Sequence, residues 1–265
     1  MVSVREKTGG MSRRNMLRGL TAGAIACPIC ASIAGSALAE GAAHWTYEGH
    51  EGPEHWAELS PDFKSCELGV QQSPIDLAGP VPAKIGVVAP AFKPVPLVVL
   101  NNGHTIQVNC APGGGSEIAG TRYELLQFHF HHPSEHLLNG KAFAMELHFV
   151  HKSAEGNLAV LGVLIRPGAE NATLAPVWKA MPSEKGEPVN AGVTVDPSAL
   201  LPKDHTYFRY YGSLTTPPCS EGVLWTVFAQ PIEASAAQIR AFGDLFPMNA
   251  RPAQSLNHRF LLETM

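Results

Sequence analysis

Charge, cysteine and long apolar runs are all scarce in this 265-residue chain. Charged residues make up 16% of it, and Lys+Arg (19) fall short of Asp+Glu (23). From residue 41 onward the imbalance grows to 14 against 21, a net charge of −7 with histidines neutral. A surface of that sign repels phosphate backbones and anionic lipid, which argues against nucleic acid and membrane partners. The one extended apolar stretch, residues 20–34, is short and interrupted by glycine, too little for a stable membrane span. No internal repeat and no polar low-complexity linker divides the remainder, leaving about 225 residues for one large domain with its own core.

What is present begins with an address. Arg13-Arg14 precede Asn15, Met16, Leu17 and Arg18; a small-residue apolar stretch follows, and then the small-x-small pattern Ala37-Leu38-Ala39. Residues 1–39 therefore read as a cleaved export signal of the twin-arginine type, and residues 40–265 as a periplasmic or otherwise exported domain. Lipidation of Cys27 is the weaker alternative, because Ala24 stands where a larger aliphatic residue is preferred. Cys27 and Cys30 leave with the signal, and Cys66, Cys110 and Cys219 remain. In an oxidising compartment one pair bridges and one thiol is left over, without the sequence choosing the pair.

Prolines and glycines are spread throughout, and between them lie short apolar runs such as LVVLNNGHTIQVN, LAVLGVLIRP and VLWTVFAQPI. Such runs, bounded by turn residues, predict a mostly β domain with a few short helices. LAVLGVLI is apolar on both faces and suits the middle of a large sheet. Helical signals are confined to two places. Residues 235–245 open with Ser235 as a cap and place Ala237, Ile239, Ala241 and Phe242 near one face; residues 173–181 centre on Leu174, Val177 and Trp178.

Histidine, by contrast, is concentrated where it can act. Residues 127–131 read QFHFH, and residues 146–148 read ELH. In a strand, side chains alternate faces, so His129 and His131 point one way and Phe128 and Phe130 the other. Residues 143–150 alternate likewise, with Glu146, His148 and Val150 sharing a face. Asn139-Gly140 between the two segments is a hairpin signal, which predicts antiparallel neighbours. A lone histidine is more often a hydrogen-bonded core residue than a ligand. Two at strand spacing with a third on an adjacent strand point to a metal, and three imidazoles leave a fourth tetrahedral position open, as catalytic zinc requires. His129, His131 and Glu135 also satisfy HxHxxxE, half of a cupin metal motif. The rest of that motif is missing: Tyr123 stands where its glycine belongs, and Gly140 comes too early.

Around the histidines stand SLTTPP (213–218), SEH (134–136), NNGH (101–104), QQSP (71–74) and NARPAQ (249–254). Taken with QFHFH and ELHFVH, these resemble the α-class carbonic anhydrases of the bacterial, exported kind, from about Trp45 to Pro252. The resemblance implies a single domain built on a large, mainly antiparallel central sheet of about ten strands. It implies zinc-dependent, reversible hydration of carbon dioxide to bicarbonate and a proton. Zn2+ would be held by His129, His131 and His148, its bound hydroxide would attack carbon dioxide, and ester hydrolysis would be a side activity. The partner is thus a small-molecule substrate, and homodimers occur among such proteins.

The same resemblance assigns roles around the metal. Gln127 and Glu146 match the positions that orient the ligand rings. Thr215 matches a gatekeeper whose hydroxyl donates to Glu135; an ionised carboxylate can only accept, so Thr215 would turn its free lone pairs to the attacking group. Thr216 matches a second hydroxyl near bicarbonate. Val150, Val160, Leu214, Val223 and Trp225 match the lining of an apolar carbon dioxide pocket, positions that read on their own as ordinary core. His104 matches the proton shuttle, with Asn101 and Asn102 at positions of a water network; without the resemblance it would read as an exposed turn histidine. Cys66 and Cys219 match the disulfide of exported members. That bridge would close a loop of roughly 150 residues, brace the Thr215 segment and leave Cys110 as the odd thiol. Domains of this kind that have lost ligands serve as recognition surfaces, but all three histidines, Thr215 and Glu135 are present here, which argues for activity.

Overall fold

The structure is a computed structural model and describes residues 43–265. The export signal, with Cys27 and Cys30, lies outside the described residues. The β-branched and aromatic runs form β1 (Val81–Ala83), β2 (Val88–Ala91), β3 (Val95–Asn101), β4 (Ile106–Asn109), β5 (Gly115–Ile118), β6 (Thr121–His131) and β7 (Leu137–Leu138). They continue as β8 (Lys141–Ala142), β9 (Met145–Ser153), β10 (Leu158–Pro167), β11 (Val189–Val195), β12 (Tyr207–Ser213), β13 (Glu221–Ala234) and β14 (Leu262–Thr264). The α-helices are short: α1 (Trp56–Leu59), α2 (Ser65–Leu68), α3 (Leu174–Lys179) and α4 (Ala236–Gly243).

Ten strands follow one another across the sheet in the order β1-β14-β12-β13-β10-β9-β6-β4-β3-β11, and β5 and β2 branch from β6 to make twelve. The pairs β10–β13 and β1–β14 are parallel and the others antiparallel, so the sheet is mixed but mainly antiparallel. The doubly apolar run of β10 lies near its centre, buried from Ala159 to Ile165, as expected for a strand covered on both faces.

Two local expectations need correction. Asn139 (φ 51°) and Gly140 (φ 77°) do form a tight turn, but it joins β7 to β8 in a separate two-stranded sheet. The strands β6 and β9 are antiparallel neighbours across that insertion, not the two arms of its hairpin. Helix α4 starts at the Ser235 cap, whose side chain accepts from Gln238 N–H while Gln238 bonds back to Ser235. Its inward face, however, is Gln238 and Phe242 with Ile239 half-buried; Ala237 and Ala241 face solvent. Gln238 goes inward because its amide is fully used there, donating to Asn171 O and accepting Asn171 N–H.

Phe128, Phe130, Leu147, Phe149, Leu161 and Val163 build the core on one face of the central strands, where α3 and α4 contribute Leu174, Val177 and Phe242. A satellite cluster of Trp56, Phe63, Cys66 and Cys219 is packed by Trp45 and Tyr47. It contains the Cys66–Cys219 disulfide, which ties α2 to the turn after Thr215 across 153 residues. Cys110 is free and half-buried, and burial pushes its thiol up to about 12, favouring the thiol over the thiolate.

Candidate metal centre

The face opposite the aromatic core carries the polar residues. In the β6–β9 register His129 stands directly across from His148, His131 from Glu146 and Gln127 from Val150. This pairing, which alternation alone could not fix, brings one ring nitrogen each of His129, His131 and His148 within 4.8 Å of one another. His131 and His148 are buried, and His129 is half-buried.

Each ring is held by its other nitrogen. His129 Nδ1 lies 2.9 Å from Gln127 Oε1, His131 Nδ1 is 2.7 Å from Asn249 O, and His148 Nε2 is 2.9 Å from Glu146 Oε1. All three acceptors require a hydrogen on the nitrogen that faces them, so Nε2 of His129, Nε2 of His131 and Nδ1 of His148 carry bare lone pairs. His131 Nε2 is buried without a partner, the condition of a donor atom shaped for an ion. Burial holds all three imidazoles below their ordinary pKa, His131 at about 4, and the neighbouring rings add to this for His129 and His148. Neutral imidazole is the ligating form, so the donor set fits Zn2+. A second close group, His136, Glu146 and His148, is joined by mutual hydrogen bonds and has no such free set.

Glu135 lies beside this centre, with Oε2 3.5 Å from His131 Nε2 and 3.9 Å from His148 Nδ1. Its Oε1 accepts from Arg251 N–H at 2.9 Å. Burial raises Glu135 to about 7, against the lowering effect of His148, the Arg251 amide and the Thr215 hydroxyl. Thr215 is therefore close enough to act on Glu135, yet Glu135 Oε2 has no partner of hydrogen-bonding geometry. The expected Thr215–Glu135 bond is thus approached but not closed. A cation among the three histidines would pull Glu135 down and make it the pure acceptor that the bond requires.

The apolar positions meet across the sheet. Val150 pairs with Val160 and Val160 with Trp225, all buried, and the Trp225 ring lies 4.9 Å from His148 in an edge contact. Val223, on Trp225's face of β13, and Leu214 are buried; Thr215 is buried and Thr216 half-buried on the turn after β12. Leu214 N–H to Ser220 O (3.0 Å) and Cys219 N–H to Thr216 O (2.9 Å) close that turn.

His104 is half-buried and stacks on Trp45 at 3.7 Å with the planes 6° apart. Burial, with Lys185 and His44 nearby, lowers it to about 4. The Asn102 side chain holds the turn by accepting from His104 N–H and Thr105 N–H, and Asn101 does so by accepting from Gly103 N–H. A cleft of about 390 Å³ opens beside His104, Trp45 and His44. Another, of about 430 Å³, is lined by Glu135, Tyr47 and Arg251 but by none of the three histidines.

Several participants carried no assigned role in the sequence. Asn249 accepts from His131 and donates to His104 O at 2.9 Å, linking ligand and turn; it opens the NARPAQ segment. His136, whose Nδ1 lies 2.7 Å from Glu146 Oε1 and whose Nε2 lies 2.7 Å from Tyr210 Oη, and Ser73, with its Oγ 2.9 Å from Tyr210 Oη, sit within SEH and QQSP, so those motifs are the signal, although their geometry is not legible. Trp45 and Tyr210 had no signal beyond being aromatic.

Residues 51–264 match the family model described as eukaryotic-type carbonic anhydrase. A carbonic anhydrase of Nostoc sp. is 45% identical over 259 residues, covering 96% of this chain and 98% of the relative. One from Pectobacterium carotovorum is 42% identical, covering 91% and 99% respectively. Among solved structures, the α-carbonic anhydrase of Thermovibrio ammonificans in complex with the inhibitor sulfanilamide superimposes with a TM-score of 0.82 at 47% identity, over 84% of this chain and all of that one. The chain belongs to the α-carbonic anhydrase family, zinc enzymes whose reaction is the hydration of carbon dioxide.

Proposed function

We infer that the chain catalyses reversible hydration of carbon dioxide with Zn2+ held by His129, His131 and His148. The observation that carries this is the convergence of three ring nitrogens within 4.8 Å, each ring tied through its other nitrogen to a different acceptor. A Zn2+ ion held there would supply a Lewis acid that makes a nucleophile of water near neutral pH, the effect for which carbonic anhydrase itself is the established case.

The chain's own residues do the rest. Gln127, Asn249 and Glu146 hold the three rings in one tautomer each. Val150, Val160, Leu214, Val223 and Trp225 offer carbon dioxide an apolar wall and deny water that position. Once a cation at the histidines ionises Glu135, Thr215 would direct its hydrogen to that carboxylate, turn lone pairs toward the reacting oxygen and select ligands that present a hydrogen. Thr216 offers a further hydroxyl to bicarbonate. His104 carries the proton out. Where it stacks on Trp45, burial, with Lys185 and His44 nearby, lowers it to about 4, a form that accepts protons poorly at neutral pH. Leaving that stack for water restores a value near the ordinary ~6.5, suited to exchange with buffer.

The Cys66–Cys219 disulfide supports the reading of residues 1–39 as an export signal, since such bridges persist in oxidising compartments. The mechanism is tested at its last step. His104→Ala slows turnover in weak buffer, and added imidazole restores it; a variant unaffected in every buffer would remove His104 from the proton path. Chelation of the metal abolishes hydration and zinc restores it.

A further inference from the structure

The cavity of about 430 Å³ that touches Glu135 but none of the three histidines has no part in the proposed reaction. Three stretches of chain wall it: residues 47–54, the β7–β8 hairpin with the turn before it, and residues 248–253. Each wall is held by its own bonds. Thr46 N–H to Glu51 O (2.9 Å) and Trp56 Nε1–H to Thr46 O (2.8 Å) fold the first, Ser134 N–H to Phe143 O (3.1 Å) the second, and Gln254 N–H to Pro74 O (2.7 Å) the third. A Cβ on Gly52 would stand 3.0 Å from Gly49 O, so the first wall bends where only glycine fits without a shift. The cavity is therefore formed before anything enters it, and its size falls within the range of about 300–1,000 Å³ usual for small-molecule sites.

Most of the lining is apolar, with Pro53, Pro133, Leu137, Ala142, Met248 and Ala250 contributing. Four charged residues also line it, and two of them are already committed. Arg251 is 2% exposed, and its terminal nitrogens donate to Gln72 Oε1, Ser73 O and Cys66 O. Glu135 is 1% exposed, with Oε1 on the Arg251 amide and Oε2 beside His131 and His148. Tyr47 adds no charge, because burial and the neighbouring Glu135 hold its phenol well above the ordinary value. The remaining two, Glu48 and Glu54, are exposed, and among the described residues neither takes part in an ion pair. Neither belongs to a close group of metal-ligating side chains, so a bare metal ion finds no cage here.

We propose that this cavity is a second small-molecule site, which takes an organic monocation: an ammonium head on Glu48 and Glu54, and a short apolar body against the prolines, Leu137 and Ala250. The sign follows from the only charges a ligand can reach. An anion would meet two carboxylates, and a neutral molecule would forgo their attraction. Ala250 leaves the room, since a longer side chain there would occupy the volume the ligand needs. The site goes beyond the zinc reading and does not rest on it. Tyr47, Glu48 and Met248 also border the cleft beside His104, but Leu137, Ala142 and Ala250 do not, so their signals separate the two.

Methyl NMR of the intact protein, titrated with n-butylammonium and with 1-butanol as the neutral probe of equal chain length, reads the site directly. Saturable shifts are expected at the Leu137, Ala142 and Ala250 methyls, with 1-butanol binding about ten-fold more weakly, the scale of two exposed charge pairs. Glu48→Gln and Glu54→Gln should each weaken n-butylammonium about three-fold, and raised salt should weaken it too. Ala250→Leu, which fills the cavity, should abolish the shifts at Leu137 and Ala142. Absence of saturable shifts, shifts centred on His104 and Trp45, equal affinity for 1-butanol, or binding unchanged in both glutamine variants would each overturn the site. Metal-free and zinc-loaded protein should bind the probe alike, so a chain that takes up no zinc would sink the zinc reading and leave this test standing.

Discussion

Strands β6 and β9 present two faces that are almost equally buried and chemically opposite. Phe128, Phe130, Leu147 and Phe149 on one face hold no polar atom and pack as core. Gln127, His129, His131, Glu146 and His148 on the other hold many polar atoms, nearly all committed to a named partner. Among the described residues four buried side-chain polar atoms lack a partner, and three belong to Gln127, His131 and Glu135. Leaving a buried polar atom unpaired costs about 1–3 kcal/mol, so orphans gathered at one face of β6 and on the loop that follows it mark a place kept for something else. Burial alone therefore does not separate core from site. The separation lies in which hydrogen bonds are left open.

The largest test of this contrast is to remove a ligand. His129→Ala, His131→Ala or His148→Ala should each drop hydration to the uncatalysed background and deplete bound zinc, measured by stopped-flow assay and metal analysis. The next strikes the opposite face. Phe149→Ala, at a wholly buried position, should cost about 3–5 kcal/mol in urea denaturation. The protein that remains folded should still bind zinc with unchanged stoichiometry. Loss of zinc there at full stability would erase the distinction between faces. The smallest is Gln127→Ala, which removes only the acceptor behind His129: zinc affinity should fall about 10–100-fold in a competition titration, with little change in melting temperature.

Much of this contrast was legible from residue spacing. Period-two alternation put His129 with His131 and Glu146 with His148, and the doubly apolar LAVLGVLI run placed β10 near the sheet's centre. The register was not legible, because it depends on an insertion whose Asn139-Gly140 turn closes its own small hairpin. Likewise α4 was visible through its cap, but its inward face was not, since Gln238 is buried by hydrogen bonds to a distant segment and not by its apolarity. Roles held by backbone groups, such as Asn249 O behind His131, leave no side-chain signature for alternation to reveal. The rotamer of His104 and its stack on Trp45 join residues far apart in the chain, and no local pattern announces them.

The account stands most directly on carbon dioxide hydration measured against zinc bound per chain. Activity is predicted to be absent from metal-stripped protein, to rise in proportion to occupancy, and to level off at a single equivalent, since the second group, His136, Glu146 and His148 Nε2, has its donors tied in mutual hydrogen bonds. Fully zinc-loaded protein that does not hydrate carbon dioxide, or undiminished hydration by zinc-free protein, would contradict it.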